Sequence, residues 1–197
     1  MARSKEMDLT TGNPFRSLLK FAIPVILGNL FQLFYTLADS VIVGKTLGAD
    51  SLAAVGSTSI IIYFVFCFIN GFTGGFGICL GQKCGAKDEK GMRKSVAVSA
   101  LLSIAFTVVL TLICCLLSHQ ILHWMQIPAD ISDEAYDYMF VVLLGTGATV
   151  FYNMISNMLR ALGDSKTPLY FLVFSSVLNI FLDILFIVPF HMGVAGA

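Results

Sequence analysis

Five long apolar runs divide the sequence, and polar segments separate them. The runs cover about residues 15–43, 52–80, 95–117, 136–162 and 169–190. A helix that crosses a bilayer needs about 20 predominantly apolar residues, and each run reaches that length. The pattern therefore predicts an all-α membrane protein with about five transmembrane helices.

Proline marks the start of two runs and the interior of one. Asn13 and Pro14 precede the first run, and Thr167 and Pro168 precede the fifth. Each pair predicts a helix N-cap followed by proline at the first helical position. Pro24 lies inside the first run, where the loss of one backbone hydrogen bond predicts a kink.

Composition supports the membrane interpretation and excludes several other classes. The 197 residues are 57% hydrophobic and 12% charged, whereas a soluble domain is about half apolar and a quarter charged. The net charge of zero gives no indication of a nucleic-acid partner. The five cysteines form no C-x-x-C pair and lie mostly in apolar runs, so we interpret them as small packing residues.

The basic residues predict the orientation. Eleven of the twelve Lys and Arg residues lie before or at the entrance of the first run, between the second and third, or between the fourth and fifth. Only Lys45 lies on the other side. Since cytoplasmic loops carry the excess of Lys and Arg, we expect the N-terminus and these loops in the cytoplasm.

A polar stripe runs along the first apolar segment and ends in a carboxylate. Gly28, Gln32, Tyr35 and Asp39 recur at spacings of four, three and four, which places them on one helical face. Such a stripe can hold helices together as a polar seam. An ionisable group inside the membrane costs about 2.5–3.5 kcal/mol on insertion scales, so Asp39 favours a functional cavity.

A second acid lies in the fifth run. Asn179 and Asp183 are four residues apart and share a face. The first and fifth spans run in the same direction, so Asp39 and Asp183 are expected at similar depth, roughly 8–10 Å from the outer helix ends. Two carboxylates close together in a low dielectric cannot both be charged cheaply. Either one holds a proton near neutral pH or both ionise around a bound Na⁺, unless each is an unrelated structural group.

The fourth run carries two amides that allow two interpretations. Asn153 and Asn157 lie four residues apart. Their side chains could coordinate a cation or bond to a carboxylate, and they could equally join helices. Asn70 in the second run is a further candidate for the cavity.

The second run contains two G-x-x-x-G patterns, Gly71 with Gly75 and Gly77 with Gly81. In a membrane this spacing indicates close helix contact or a flexible hinge. The glycines do not form a nucleotide-binding loop, because the G-x-G-x-x-G spacing and the preceding strand are both absent from the pattern.

No catalytic motif stands out in the sequence. His119 and His123, four residues apart, could form a zinc pair, but Trp124 beside them favours an interfacial helix. The sequence has no nucleophile–base arrangement, Walker sequence or zincin motif. We therefore expect a protein that is not an enzyme, uses no cofactor and has no dedicated metal site beyond a possible Na⁺.

Taken in order, several segments resemble one family. They are P-x-I-L-G-N-L-F-Q-L-F-Y-T-L-A-D-S-V-I-V-G-K-x-L-G at 24–48, R-A-L-G-D-S-K-T-P at 160–168, N-I-F-L-D at 179–183 and G-V-A-G-A at 193–197. The series resembles the multidrug and toxic compound extrusion (MATE) family. That resemblance implies a twelve-helix secondary transporter with two six-helix lobes, which exports organic cations and other drugs in exchange for H⁺ or Na⁺.

The resemblance also implies roles for individual residues. The implied ion-coupling residues are Asp39, Asn179 and Asp183. The implied substrate-cavity residues are Gln32, Tyr35 and Asn153. Pro24 matches the proline linked to bending of the first helix.

The length of the chain is a departure from the family pattern. Five spans and the approach to a sixth make up most of one lobe, so we expect the N-terminal portion of a transporter in the cell membrane, without its C-terminal lobe. The alternatives are a lipid-linked oligosaccharide flippase of the same superfamily or a membrane fragment without transport. A flippase would be expected to place basic residues in its cavity, and no span has one in its middle.

Overall fold

The computed structural model describes residues 14–128, 130–190 and 193, and within these residues it contains helices and no strand. The helices are α1 (Pro14–Thr46), α2 (Ala49–Gly85), α3 (Glu89–Trp124), α4 (Ser132–Leu144), α5 (Thr146–Ala161) and α6 (Lys166–Ile187). The predicted N-cap Asn13 lies outside the described residues.

The number of spans agrees with the prediction. Helices α1, α2, α3 and α6 are each long and apolar enough to cross a membrane, and α4 with α5 forms a bent pair that counts as the fifth span. The fourth apolar run is therefore two helices, bent by 42° at the break between them. The fold class, an all-α membrane protein of about five transmembrane helices, is confirmed.

The bend lies at Gly145, between α4 and α5. The hydroxyl of Thr146 donates to the Leu143 carbonyl at 2.6 Å and lies 2.9 Å from the Thr111 hydroxyl on α3. A hydroxyl that bonds to its own helix backbone and to a neighbouring helix favours a local bend. Hydropathy alone does not predict this feature, because both helices are apolar.

The helices form two groups. Helices α2 to α5 pack on one another and share a core that includes Ile69, Met139 and Val150. Helix α1 packs mainly on α6, with a smaller contact to α2, and α6 has little contact with α5. We call α2–α5 the body and α1 with α6 the pair.

The two helices of the pair are parallel. Gly28, near the middle of α1, faces Leu169 and Leu172 in the first turns of α6, and Val43 and Ile187 share a buried cluster near the C-terminal ends of both helices. Helix α1 continues through Pro24, whose side chain is buried. The parallel arrangement brings the polar stripe of α1 beside the polar face of α6.

The two G-x-x-x-G patterns behave differently. A Cβ atom on Gly77 would lie 3.0 Å from the Asn157 carbonyl oxygen, and one on Gly81 would lie 3.8 Å from Ala161 Cβ. This pattern therefore allows α2 and α5 to approach closely. Gly71 and Gly75 have no atom within 4 Å of an added Cβ and make no such contact within the described residues.

The start of α6 differs from the prediction. The helix begins at Lys166, so Pro168 is its third residue and Thr167 does not occupy the N-cap position. Asp164 caps the helix instead, since its carboxylate accepts hydrogen bonds from the Lys166 and Thr167 backbone N–H groups at 3.1 and 3.0 Å. Desolvation opposes ionisation of Asp164, but hydrogen bonds from Thr167 and Lys166 outweigh it and lower the pKa below its usual value.

Candidate functional site

A cavity of about 400 Å³ lies between the pair and the body. Helices α1 and α6 form one wall, and α2 and α5 form the other. Polar side chains dominate the lining, although both walls belong to membrane-spanning helices. The amides that line it are Asn29, Gln32, Asn70, Asn153 and Asn179.

The predicted cavity residues come together here. Gln32 and Tyr35 of α1 and Asn153 of α5 all line the cavity, as does Asn70 of α2. Asn153 donates to the Thr149 carbonyl in its own helix at 2.9 Å. The structure thus places these side chains in one space, and their roles in transport remain predictions.

The two amides of the fourth run divide between the two interpretations. Asn157 donates to the Thr73 hydroxyl on α2 at 3.2 Å and joins the two helices. Asn153, one turn earlier on α5, lines the cavity. A difference of four residues rotates a side chain by about 40° around the helix axis, which separates the two environments.

The two carboxylates lie one helical turn beyond the cavity wall. Asp39 follows Tyr35 by four residues and Asp183 follows Asn179 by four, and neither acid is among the residues that line the cavity. Asp183 is buried, with 2% of its surface exposed. Asn179 lines the cavity and also donates to Asp183 Oδ1 at 3.3 Å. This amide therefore connects the cavity with the acid.

Three buried oxygens around the acids lack hydrogen-bond partners among the described residues. They are Asp39 Oδ1, Asn179 Oδ1 and Asp183 Oδ2. Buried polar atoms are almost always paired, because an unpaired one loses its hydration without compensation. All three are acceptors, so the partners that suit them are a proton on a carboxylate, a buried water molecule or a cation with oxygen ligands, such as Na⁺.

Tyr138 of α4 faces the same acids. It lies within electrostatic range of Asp39, Asp183 and Tyr35, and Asp39 and Asp183 lie within electrostatic range of each other. Tyr138 is not among the residues that the sequence predicts for the site. It packs on the cluster around Val43, and no spacing signal in the sequence distinguishes it from a packing residue.

Arg160 corrects a sequence-based expectation. The sequence places it at the end of the fourth run, and on that ground no basic group is expected in the cavity. In the structure Arg160 lies in the last turn of α5 and its side chain lines the cavity. A long side chain can reach well beyond its own helix turn, so a position near a helix end does not show where the charge lies.

His119 and His123, the two histidines of the predicted interfacial helix, have different neighbours. The His119 ring stacks on Tyr136 of α4, with ring centroids 4.3 Å apart, and His123 and Trp124 are exposed. The described residues contain no group of three or more His, Cys, Asp or Glu side chains that could hold a metal ion.

Comparison with known proteins relates this chain to a family of transporters. The family model MatE matches residues 24–185, which is most of the chain. The probable multidrug resistance protein YpnP of Bacillus subtilis is 37% identical over 193 residues, covering 98% of this chain and 43% of that protein. The probable multidrug resistance protein NorM of Thermotoga maritima is 28% identical over 187 residues, covering 92% and 40%.

Solved structures show the same arrangement of helices. An outward-facing multidrug resistance MATE family transporter of the MOP superfamily superimposes with a TM-score of 0.87 at 30% identity. The match covers 98% of this chain and 42% of that structure. The chain therefore spans less than half the length of the relatives that it matches.

Proposed function

Since this chain belongs to the MATE family, we propose that it forms the ion-coupling part of an exporter of small organic molecules. The exporter would move these molecules out across the cell membrane in exchange for H⁺ or Na⁺ that enters. The N-terminus of the chain would face the cytoplasm. The relatives named as multidrug resistance proteins support the export activity.

One observation carries the proposal: two carboxylates with unpaired buried oxygens lie one turn beyond a polar cavity. Asp39 and Asp183 are the coupling carboxylates. Gln32, Tyr35 and Asn153 contact the substrate in the cavity. Carboxylates inside the membrane are costly and mark ion pathways.

Asn179 connects the ion-coupling carboxylate with the substrate cavity. Its amide N–H donates to Asp183, and the same side chain faces the cavity. Neutralising Asp183 weakens its demand for this donor, so the amide can turn and change the cavity wall. Pro24 provides a point at which α1 bends, because the preceding turn lacks one hydrogen bond. Exchange requires only that ion and substrate stabilise different conformations.

Replacing Asp39 with Asn tests the assignment. The variant keeps the shape of the side chain and removes its charge and its proton. Asp50→Asn is the matched control, because Asp50 is exposed in the first turn of α2, away from the cavity. We would measure dye export by the full transporter that contains this chain, in proteoliposomes, with a pH gradient or a Na⁺ gradient imposed separately.

We expect Asp39→Asn to abolish gradient-driven export while insertion and thermal stability are unchanged, and Asp50→Asn to export normally. The gradient that drives the wild type identifies the coupling ion. Normal export by Asp39→Asn under both gradients would show that the coupling site lies elsewhere.

A lipid-linked oligosaccharide flippase is the second candidate, and Arg160 in the cavity wall is the observation that favours it. A pyrophosphate-linked lipid carries at least two negative charges, and the other described residues that line the cavity are neutral. One guanidinium leaves such a headgroup underneutralised. We therefore rank this candidate below drug export.

A further inference from the structure

The start of α3 carries a concentration of positive charge. Residues 83–94, which include the turn between α2 and α3, hold five basic residues and two acids. The basic residues are all exposed, and they are Lys83, Lys87, Lys90, Arg93 and Lys94. A helix N-terminus disfavours cations, because the backbone dipoles already make it positive. These charges therefore do not stabilise α3 itself and are available to a binding partner.

The two acids of the segment do not neutralise this charge. Asp88 caps α3 by accepting a hydrogen bond from the Gly91 backbone N–H at 2.9 Å, and it forms an ion pair of 3.9 Å with Lys83 of α2. That ion pair is the only one in the described part of the chain, so the exposed Glu89 forms none there. The three basic residues of α3 are therefore left without a carboxylate partner among the described residues.

The helix face that carries two of these cations continues as an exposed apolar strip. Lys90 and Lys94 lie one turn apart on this face. The apolar residues that follow on it, at steps of three or four, are Ala97, Leu101, Ile104 and Val108. The last three are 69%, 49% and 52% exposed. Leu101 follows Lys94 by seven residues, roughly 10 Å along the helix axis, so cations and apolar surface succeed one another along a single face.

Charge complementarity identifies the occupant that suits this face of α3. A neighbouring helix would have to place acids opposite the two lysines and an apolar surface beyond them. A phospholipid with an anionic headgroup has both parts in this order, with a phosphate near the membrane surface and acyl chains beneath it. Clusters of basic residues directly outside a membrane span are typical of sites for such lipids.

We propose that this face of α3 binds an anionic phospholipid. Its phosphate lies between Lys90 and Lys94, and an acyl chain lies along Leu101, Ile104 and Val108. Lysine suits this position, because its apolar stem can lie against the lipid while its ammonium group reaches the headgroup. The proposal concerns a lipid on the outer surface of the body and is independent of the coupling ion and of the exported molecule.

Photocrosslinking with labelled lipids tests the site directly. The full transporter that contains this chain would be placed in nanodiscs of mixed phosphatidylglycerol and phosphatidylcholine. In parallel samples one of the two lipids carries a diazirine on its acyl chain, and mass spectrometry after pepsin digestion locates the crosslinks. The measured quantity is the ratio of phosphatidylglycerol to phosphatidylcholine crosslinks at residues 101–108, relative to the ratio in the bilayer.

The test variant is Lys90→Gln/Lys94→Gln. The matched control is Lys83→Gln/Lys166→Gln, which removes the same charge from the end of α2 and the start of α6, two exposed positions away from this face. Soluble glycerol 3-phosphate, which has the phosphate and no acyl chain, serves as a competitor.

We expect the wild type to show a ratio well above that of the bilayer. A lysine beside an anionic membrane surface contributes about fivefold to binding, so the loss of both should lower the ratio by about tenfold or more. The control variant should keep the wild-type ratio, and glycerol 3-phosphate should leave it unchanged.

Several results would overturn the proposal. A wild-type ratio equal to that of the bilayer would show no preference for the anionic lipid, and a complete lack of crosslinks at residues 101–108 would show that another helix covers this face. An equal fall in both double variants would indicate general attraction by surface charge. Competition by glycerol 3-phosphate would indicate a site for soluble phosphates. If the test variant does not insert, Lys94→Gln alone decides, and an unchanged ratio in it contradicts the proposal.

Discussion

The close approach of α2 to α5 at Gly77 predicts a measurable difference between two glycine-to-alanine substitutions. At Gly77 an added Cβ would lie 3.0 Å from the Asn157 carbonyl oxygen and 3.3 Å from Asn157 Cβ. Both neighbours are fixed to the backbone of α5, so neither can rotate away. At Gly71, on the same helix, nothing lies within 4 Å of the added atom.

The difference in unfolding free energy between the two variants can be estimated because the gain in backbone entropy is common to both and cancels. Replacing glycine by alanine in a helix gains about 0.5–1 kcal/mol from backbone entropy, and this gain applies to both positions. Only Gly77→Ala must push α2 and α5 apart by a few tenths of an ångström, which also stretches the Asn157–Thr73 hydrogen bond of 3.2 Å. Overpacking of this kind costs about 1–3 kcal/mol.

Thermal unfolding followed by the loss of helical circular dichroism measures the difference. For a chain of 197 residues, 1 kcal/mol corresponds to about 2–4 °C in Tm. Gly77→Ala should therefore melt at least about 2 °C below Gly71→Ala. Equal melting temperatures would refute the close contact of α2 with α5 at Gly77.

Two further substitutions test local interactions at the helix ends. Asp164→Ala should destabilise the protein by about 0.5–2 kcal/mol through loss of the cap on α6. Since folding lowers the pKa of Asp164, its contribution is present above the ordinary value of 3.8 and is lost as pH falls through the lower folded value. The Tm difference between wild type and variant should therefore shrink under acid conditions, and a difference that grows there would contradict the assignment. Ser51→Ala removes a hydrogen bond of 2.6 Å to Glu134 and should cost about 1 kcal/mol of stability. The measurement is Tm, and the control is Ser57→Ala, which loses only a hydrogen bond within its own helix.

The sequence was sufficient to find the polar stripe and both acids. Helical spacing places Gln32 and Tyr35 on the face that carries Asp39, and the structure has the first two in the cavity wall with the acid one turn beyond. The pairing of Asn179 with Asp183 follows from the same rule. Polar groups are rare inside apolar runs, which makes their spacing easy to interpret.

Other features depend on tertiary packing, which a single sequence does not specify. The direction of the Arg160 side chain depends on how α5 is rotated against α1 and α6. The different surroundings of Asn153 and Asn157 depend on the same rotation. The bend at Gly145 is accompanied by a contact between the Thr146 hydroxyl and the Thr111 hydroxyl of another helix. Hydropathy averages over many residues and contains none of this information.

The division into a body and a pair has a kinematic consequence. Within residues 14–187 two short linkers connect the pair to the body, Leu47 and Gly48 after α1 and residues 162–165 before α6. Because α1 and α6 are parallel, these linkers lie at opposite ends of the bundle. A rotation of the pair about the diagonal that joins the linkers strains neither linker, whereas sliding along the body would strain both. Such a rotation would widen the space between the walls on one side of the diagonal and narrow it on the other.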